Sequence, residues 1–162
     1  MDERSLRTDD RAEAIIRHYS DMVYRLAFSN MRNKSDAEDI YQEVFYRFIR
    51  KKPQFSSEEH SKAWFIRVTV NCCKKWAAAS FRRKSQPLDE SLVFNTREEN
   101  QLFWVLEKLP MKYRAVIHLF YYEDLSIDAI SKALCQKPSA IRTRLTRARS
   151  RLKEILKEDD YV

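Results

Sequence analysis

Residues 125–156 read LSIDAISKALCQKPSAIRTRLTRARSRLKEIL: a short helix with apolar periodicity, a break, and a longer helix crowded with arginine. Ser126 is placed to cap the first helix, Ile127, Ile130 and Leu134 recur at helical spacing, and Pro138 suits the first turn of the second, where its missing N–H costs nothing. In the second helix Ile141, Leu145, Ala148, Leu152, Ile155 and Leu156 form one apolar stripe. Opposite it lie Ser139, Thr143, Thr146 and Ser150, flanked by Arg142 and Arg149 on one side and Arg144, Arg147 and Arg151 on the other. Short hydroxyls let a helix approach base edges, and long arginines beside them reach phosphate or guanine. The pattern is that of a DNA-reading helix-turn-helix. An amphipathic helix with a solvated basic face is the ordinary alternative. Against it, the basic run from Arg142 to Lys153 meets no acid before Glu154 and repels itself unless an anion lies nearby.

The rest of the composition narrows the class. With 162 residues and 44% hydrophobic content, the chain has room for one large or two small cores. A formal charge of +7 suits a polyanionic partner, nucleic acid or an acidic membrane surface. No apolar run has the length of a membrane span and the opening MDERSLRTDD is too charged for a secretory signal, so a cytoplasmic protein without membrane insertion is expected. Cys72, Cys73 and Cys135 lack metal or redox spacing, and His18, His60 and His118 are scattered, so the expectation is reduced thiols and no metal or cofactor. Glycine is absent altogether, which excludes the phosphate-cradling loops of nucleotide enzymes. No His or Cys is spaced with an acid or base partner as in a catalytic motif. The same lack of glycine, with only 4 prolines, argues for an all-α chain.

Two small helical domains joined by a linker follow from the periodicity. The first spans 1–83, its helices running from about Ala12 to Arg83. Its opening helix carries Ile15, Ile16, Tyr19, Met22, Val23, Leu26 and Ala27 on one face. Ser35 is the expected cap of a second helix that ends before Pro53. There Ile40, Tyr41, Val44, Phe45 and Phe48 point inward, whereas Asp36, Asp39, Gln42, Glu43 and Tyr46 gather on another face. After a loop from Pro53 to His60 comes SKAWFIRVTVNCCKKW, with Phe65, Val68, Cys72 and Trp76 as the buried stripe and Arg67, Asn71 and Lys74 facing away. Trp64 and Trp76 both fit core positions. Periodicity fails over 84–95, the expected linker. The second domain, 96–162, is expected to hold four helices. Thr96 and Glu99 are spaced as a capping box, followed by Leu102, Phe103, Val105, Leu106 and Leu109. Pro110 opens the next helix, whose expected core is Tyr113, Val116, Ile117, Phe120 and Tyr121, and the helix-turn-helix ends the domain.

The order YSDMVYRLAF, DAEDIYQEVFYRFIRK, KAWFIRVTVNCCKKW, then LEKLPMKYRAVIHLFYYEDLSIDAISKAL and IRTRLTRARSRLK resembles the bacterial RNA polymerase sigma factors of the extracytoplasmic-function class. The resemblance implies a first domain that binds core polymerase and opens promoter DNA at the minus-ten element, and a second that reads the minus-thirty-five duplex. It implies polymerase-binding roles for Asp36, Asp39, Gln42, Glu43 and Tyr46. For minus-ten DNA it implies Phe55, Ser56, Ser57, Arg67, Asn71, Lys74, Lys75, Arg82 and Arg83. For minus-thirty-five DNA it implies Lys137, Ser139, Ala140, Arg142, Thr143, Arg144, Thr146, Arg147 and Arg149. Base capture needs hydrogen-bonding groups, stacking walls and cations, which these residue types supply. A stress or envelope response and a restraining anti-sigma factor, often membrane-anchored, are further implications of the resemblance.

The departures from that family carry their own expectations. Cys135 stands where the family has the turn glycine, so a left-handed non-glycine residue is expected there at a cost of about 1 kcal/mol. Ser139 and Ala140 replace a Gly-Thr pair, which moves base or phosphate contacts to Ser139 and Thr143. The competing reading is a helix-turn-helix regulator whose N-terminal domain senses a ligand or dimerises.

Overall fold

The structure is a computed structural model and describes residues 3–82 and 105–159. Every regular element in these residues is helical, in agreement with the all-α expectation. The linker at 84–95, the Thr96–Glu99 capping box, Leu102, Phe103 and Arg83 lie outside the described residues.

The first lobe packs α1 (Glu3–Met31), α2 (Lys34–Lys51) and α3 (Glu58–Arg82) around an aromatic core. Phe65 is fully buried, its ring centroid 4.6 Å from Tyr19, 4.9 Å from Trp64, 5.3 Å from Phe48 and 5.6 Å from Phe45. Such ring contacts add to the area that the side chains bury. Met22, Val23, Leu26, Ile40, Val44, Ile66 and Val70 complete the core.

Local signals set the helix ends, though not always at the expected residue. The cap of α2 is Asn33, whose Oδ1 accepts from the Asp36 N–H at 3.1 Å, and not Ser35, which already lies in the first turn. An asparagine with extended backbone satisfies an orphan N–H that Ser35, already helical, leaves free. Ser57 does the same for α3, its Oγ accepting from the His60 N–H at 3.1 Å. With no glycine available, turns that need positive φ use other residues: Arg32 at 61°, Lys52 at 47°, Asp124 at 52° and Cys135 at 54°. Lys52 ends α2 in this way.

In the second lobe a helical turn at 105–107 leads to α4 (Met111–Ile117), which continues into one π-helical turn, His118–Tyr122. There the Glu123 N–H donates to the His118 carbonyl at 3.1 Å. The wider turn changes the phase of the face: Leu119 and His118 are buried, while Tyr121, expected in the core, is 52% exposed. The lobe ends in α5 (Ile127–Leu134) and α6 (Pro138–Asp159), the expected helix-turn-helix. Ser126 caps α5, its Oγ accepting from the Ala129 N–H at 3.1 Å, and Cys135 ends it in the left-handed conformation, both as expected. The α6 stripe is buried at Ile141, Leu145 and Ala148, half-buried at Leu152 and Ile155, and exposed at Leu156. The stripe therefore leaves the core before the helix ends. The two lobes are docked, α3 against α5 and α1 against α4.

Candidate nucleic-acid interface and docking face

On α2, Asp39, Gln42, Glu43 and Tyr46 are exposed, and Asp36 is half-buried at the first turn. The four exposed residues border a groove of about 1020 Å³ between α2 and α3, lined also by Ile49, Lys75 and Trp76. Tyr46 and Ile49 are 58% and 56% exposed, apolar surface with no core duty. Glu43 accepts from Arg47 Nε at 2.8 Å, which steadies both side chains on an exposed face. Trp76, read above as a core residue, is 38% exposed, and its Nε1 donates to Asp36 Oδ1 at 3.0 Å. The buried stripe of α3 runs instead through Phe65, Ile66, Thr69, Val70, Cys72 and Cys73, and Val68 is only half-buried. Burial pushes the Cys73 thiol up to about 12 and raises Cys72 as well, which disfavours the thiolate at both.

The minus-ten candidates divide into three groups. Asn71, Lys74 and Lys75 are exposed on α3, and Arg82 lies at its end. Phe55 is half-buried, its ring 5.9 Å from Trp64 and 6.4 Å from Phe48, so it anchors the loop to the core. Ser56 and Ser57 bind the loop to His60: the Ser56 N–H donates to His60 Nδ1 at 3.1 Å, and Ser57 is the α3 cap. Trp64 belongs to the same aromatic core, as its spacing predicted. Arg67 differs from the rest: it faces the second lobe, and its Nε donates to the Ala133 carbonyl at 3.0 Å.

On α6, Ser139, Ala140, Arg142, Thr143, Thr146, Arg147 and Ser150 are exposed, Arg144 is half-buried, and Lys137 is exposed just before the helix. Thr143 and Thr146 donate back to the carbonyls of Ser139 and Arg142 at 3.0 and 2.9 Å, so their hydroxyl protons are held by the backbone of an unbroken helix. Arg149 is held: its Nε donates to Tyr121 Oη at 2.7 Å and its guanidinium lies 5.3 Å from the Phe120 ring. Tyr121, displaced by the π-helical turn, thus orients one arginine of the basic helix. Sequence periodicity could not reveal this pairing, because it assigned Tyr121 to the core.

Residues 15–85 match the family described as Sigma-70 region 2, and residues 104–152 match Sigma-70, region 4. The chain is 30% identical over 147 residues to the RNA polymerase sigma factor SigV of Bacillus subtilis, covering 84% of this chain and 86% of that protein. It is 27% identical over 169 residues to the ECF RNA polymerase sigma factor SigW of Bacillus subtilis, covering 89% and 88% of the two. The fold is similar to that of the sigma factor RpoE of Bartonella quintana, solved in complex with the anti-sigma factor NepR, with TM-score 0.76 at 19% identity over 90% of this chain and 96% of that one. A regulator with an unrelated N-terminal domain is not favoured, because the N-terminal lobe itself carries the region 2 match. Matched in both lobes and over most of its length, the chain belongs to the sigma-70 family of RNA polymerase sigma factors, in the extracytoplasmic-function class, and serves as a transcription initiation factor that binds core polymerase and directs it to promoters.

Proposed function

We propose that the outer face of α2 is where this sigma factor meets core polymerase, through Asp39, Gln42, Glu43 and Tyr46, with Asp36 holding the Trp76 wall of the adjoining groove. The observation that carries this reading is the exposed pairing of acids with Tyr46 and Ile49 on a helix whose other face fills the core. Apolar surface rimmed by charge is what a protein partner buries. The double variant Asp39→Lys, Glu43→Lys changes only exposed side chains. It should therefore keep its fold and lose copurification with core polymerase. Copurification at the wild-type level would refute the assignment.

For DNA, the first domain, 1–83, takes the unpaired minus-ten strand with Asn71, Lys74 and Lys75 on α3, Arg67 beside them, and with Arg82 and Arg83, which precede the expected 84–95 linker in sequence. Phe55, Ser56 and Ser57 shape the loop of that site. An asparagine amide donates to and accepts from a base edge that is unavailable in the duplex. The second domain, 96–162, reads the minus-thirty-five duplex with Lys137, Ser139, Ala140, Arg142, Thr143, Arg144, Thr146 and Arg147, and Arg149 is positioned by Tyr121. An anti-sigma partner, of the kind named for the Bartonella RpoE complex, and a role in a stress or envelope response complete the proposal. On a duplex promoter, Asn71→Ala should reduce permanganate reactivity of unpaired thymines while leaving polymerase binding intact. Normal opening by that variant would return Asn71 to the class of solvated helix residues.

A further inference from the structure

Among the described residues, Arg149 is the arginine of α6 whose side chain a hydrogen bond holds: its Nε donates to Tyr121 Oη at 2.7 Å. Its guanidinium carbon lies 5.3 Å from the Phe120 ring centroid and 5.6 Å from that of Tyr121. The two rings stand edge to face, with centroids 5.0 Å apart and planes at 80°, so they form a corner in which the flat cation sits. Both rings come from the π-helical turn His118–Tyr122, whose wider winding leaves Tyr121 exposed. Arg151, by contrast, has a single ring near it, Tyr113 at 5.8 Å.

This seat has a chemical consequence. Tyr121 takes the Nε donor and leaves the two-pronged Nη edge, the fork that matches the oxygens of a phosphate. No acid among the described residues pairs with Arg149, so its charge is available to an anion from outside. A long side chain loses rotamer freedom when it binds, and one that is already seated has lost that freedom beforehand. Position along the helix selects the acceptor. Arg149 stands about 16 Å along α6 from Pro138, which exceeds the major-groove width of about 12 Å. The first turns of such a helix meet base edges, so a side chain this far along meets the sugar-phosphate rim.

We infer that Tyr121 is a positioning residue for duplex recognition: its hydroxyl, with the Phe120 ring, sets Arg149 in advance as a fork for one backbone phosphate. The inference rests on the minus-thirty-five reading of α6 given above and adds the residues that ready the arginine. It assigns Arg149 to affinity and register, and leaves base choice to the N-terminal turns of α6.

The test uses holoenzyme reconstituted from the full chain and core polymerase, with a promoter duplex that the wild-type holoenzyme selects from a randomised library. Binding is measured over a series of salt concentrations at low temperature, before the strands open. Tyr121→Phe removes one oxygen from an exposed ring and should weaken binding about two- to tenfold, the cost of ordering one long side chain. Its salt slope should equal that of wild type, because the charge is kept. Arg149→Ala should weaken binding at least as much and lower the slope by about 1. In the Arg149→Ala background, Tyr121→Phe should have no further effect. A full effect there would mean that Tyr121 acts on its own, through DNA or through the fold, and would overturn the inference. Loss of preference for one upstream base in Arg149→Ala would overturn it too, by replacing the phosphate with a base. Wild-type binding by Tyr121→Phe, with Arg142→Ala weakened, would refute the inference alone. Wild-type binding by Arg142→Ala, Arg144→Ala and Arg149→Ala would remove the minus-thirty-five reading and this inference with it.

Discussion

The two lobes solve the same problem, presenting a charged face to a partner, with different resources. The first builds its face on long helices bolted to a ring cluster centred on Phe65, which touches aromatics from α1, α2 and its own helix. The second sets two short helices, α4 and α5, beside the 22-residue α6 on an aliphatic core of Val116, Leu119, Ile130, Ile141 and Leu145, and its positive-φ turns at Asp124 and Cys135 match those at Arg32 and Lys52 in the first. The contrast lies in the cores, aromatic rings in one and aliphatic side chains in the other, whereas both lobes use caps and left-handed turns. Loss of a ring should therefore be felt most in the first lobe, and relief of a left-handed turn in the lobe that carries it.

The sharpest way to break that contrast is Phe65→Ala. The side chain is fully buried among rings, so its loss should cost about 3 to 5 kcal/mol and unfold the first lobe ahead of the second. Urea unfolding followed by hydrogen exchange in α1–α3 and in α6 separates the lobes; simultaneous loss of both would mean that docking, not the ring cluster, sets the stability of the first.

A smaller change sharpens the other side. Cys135 holds φ 54° and ψ 44° at the end of α5, a conformation that penalises a side chain bearing Cβ. Cys135→Gly should stabilise the second lobe by up to about 1 kcal/mol, because glycine adopts that conformation freely and the cysteine is exposed. Thermal unfolding checks it: a lower midpoint in the glycine variant would show that the thiol contributes more than its backbone costs.

A pH-dependent effect lies at the junction of the lobes. Burial by itself would raise the Glu123 carboxyl, but hydrogen bonds from His118 and Arg25, and their charges, outweigh it and bring the group from 4.5 down to about 2. A carboxylate with a depressed native value contributes stability that is present above its ordinary pKa and lost as pH falls through the native one. Wild type should therefore loosen between about pH 4.5 and 2, and Glu123→Gln should show a flatter acid limb over that window. Equal acid limbs in the two proteins would remove Glu123 from the junction's energetics.

Sequence alone determined the elements whose signals are local. Residue periodicity and side-chain caps act within a turn or two, so the helix-turn-helix, the Ser126 cap and the acidic outer face of α2 were legible before any fold was seen, whereas the left-handed Cys135 followed from the family resemblance. Where two local signals competed, the reading failed by a few residues, as when Asn33 rather than Ser35 capped α2. Other features were decided by tertiary structure. The π-helical turn took Tyr121 out of the core and gave it to Arg149, and packing of α2 on α3 left Trp76 at a groove wall bound to Asp36. Least legible was the docking of the lobes, for a plain physical reason: Arg67 and Arg114 bind backbone carbonyls at helix ends. Every residue carries a carbonyl, so only the fold decides which of them an arginine will find.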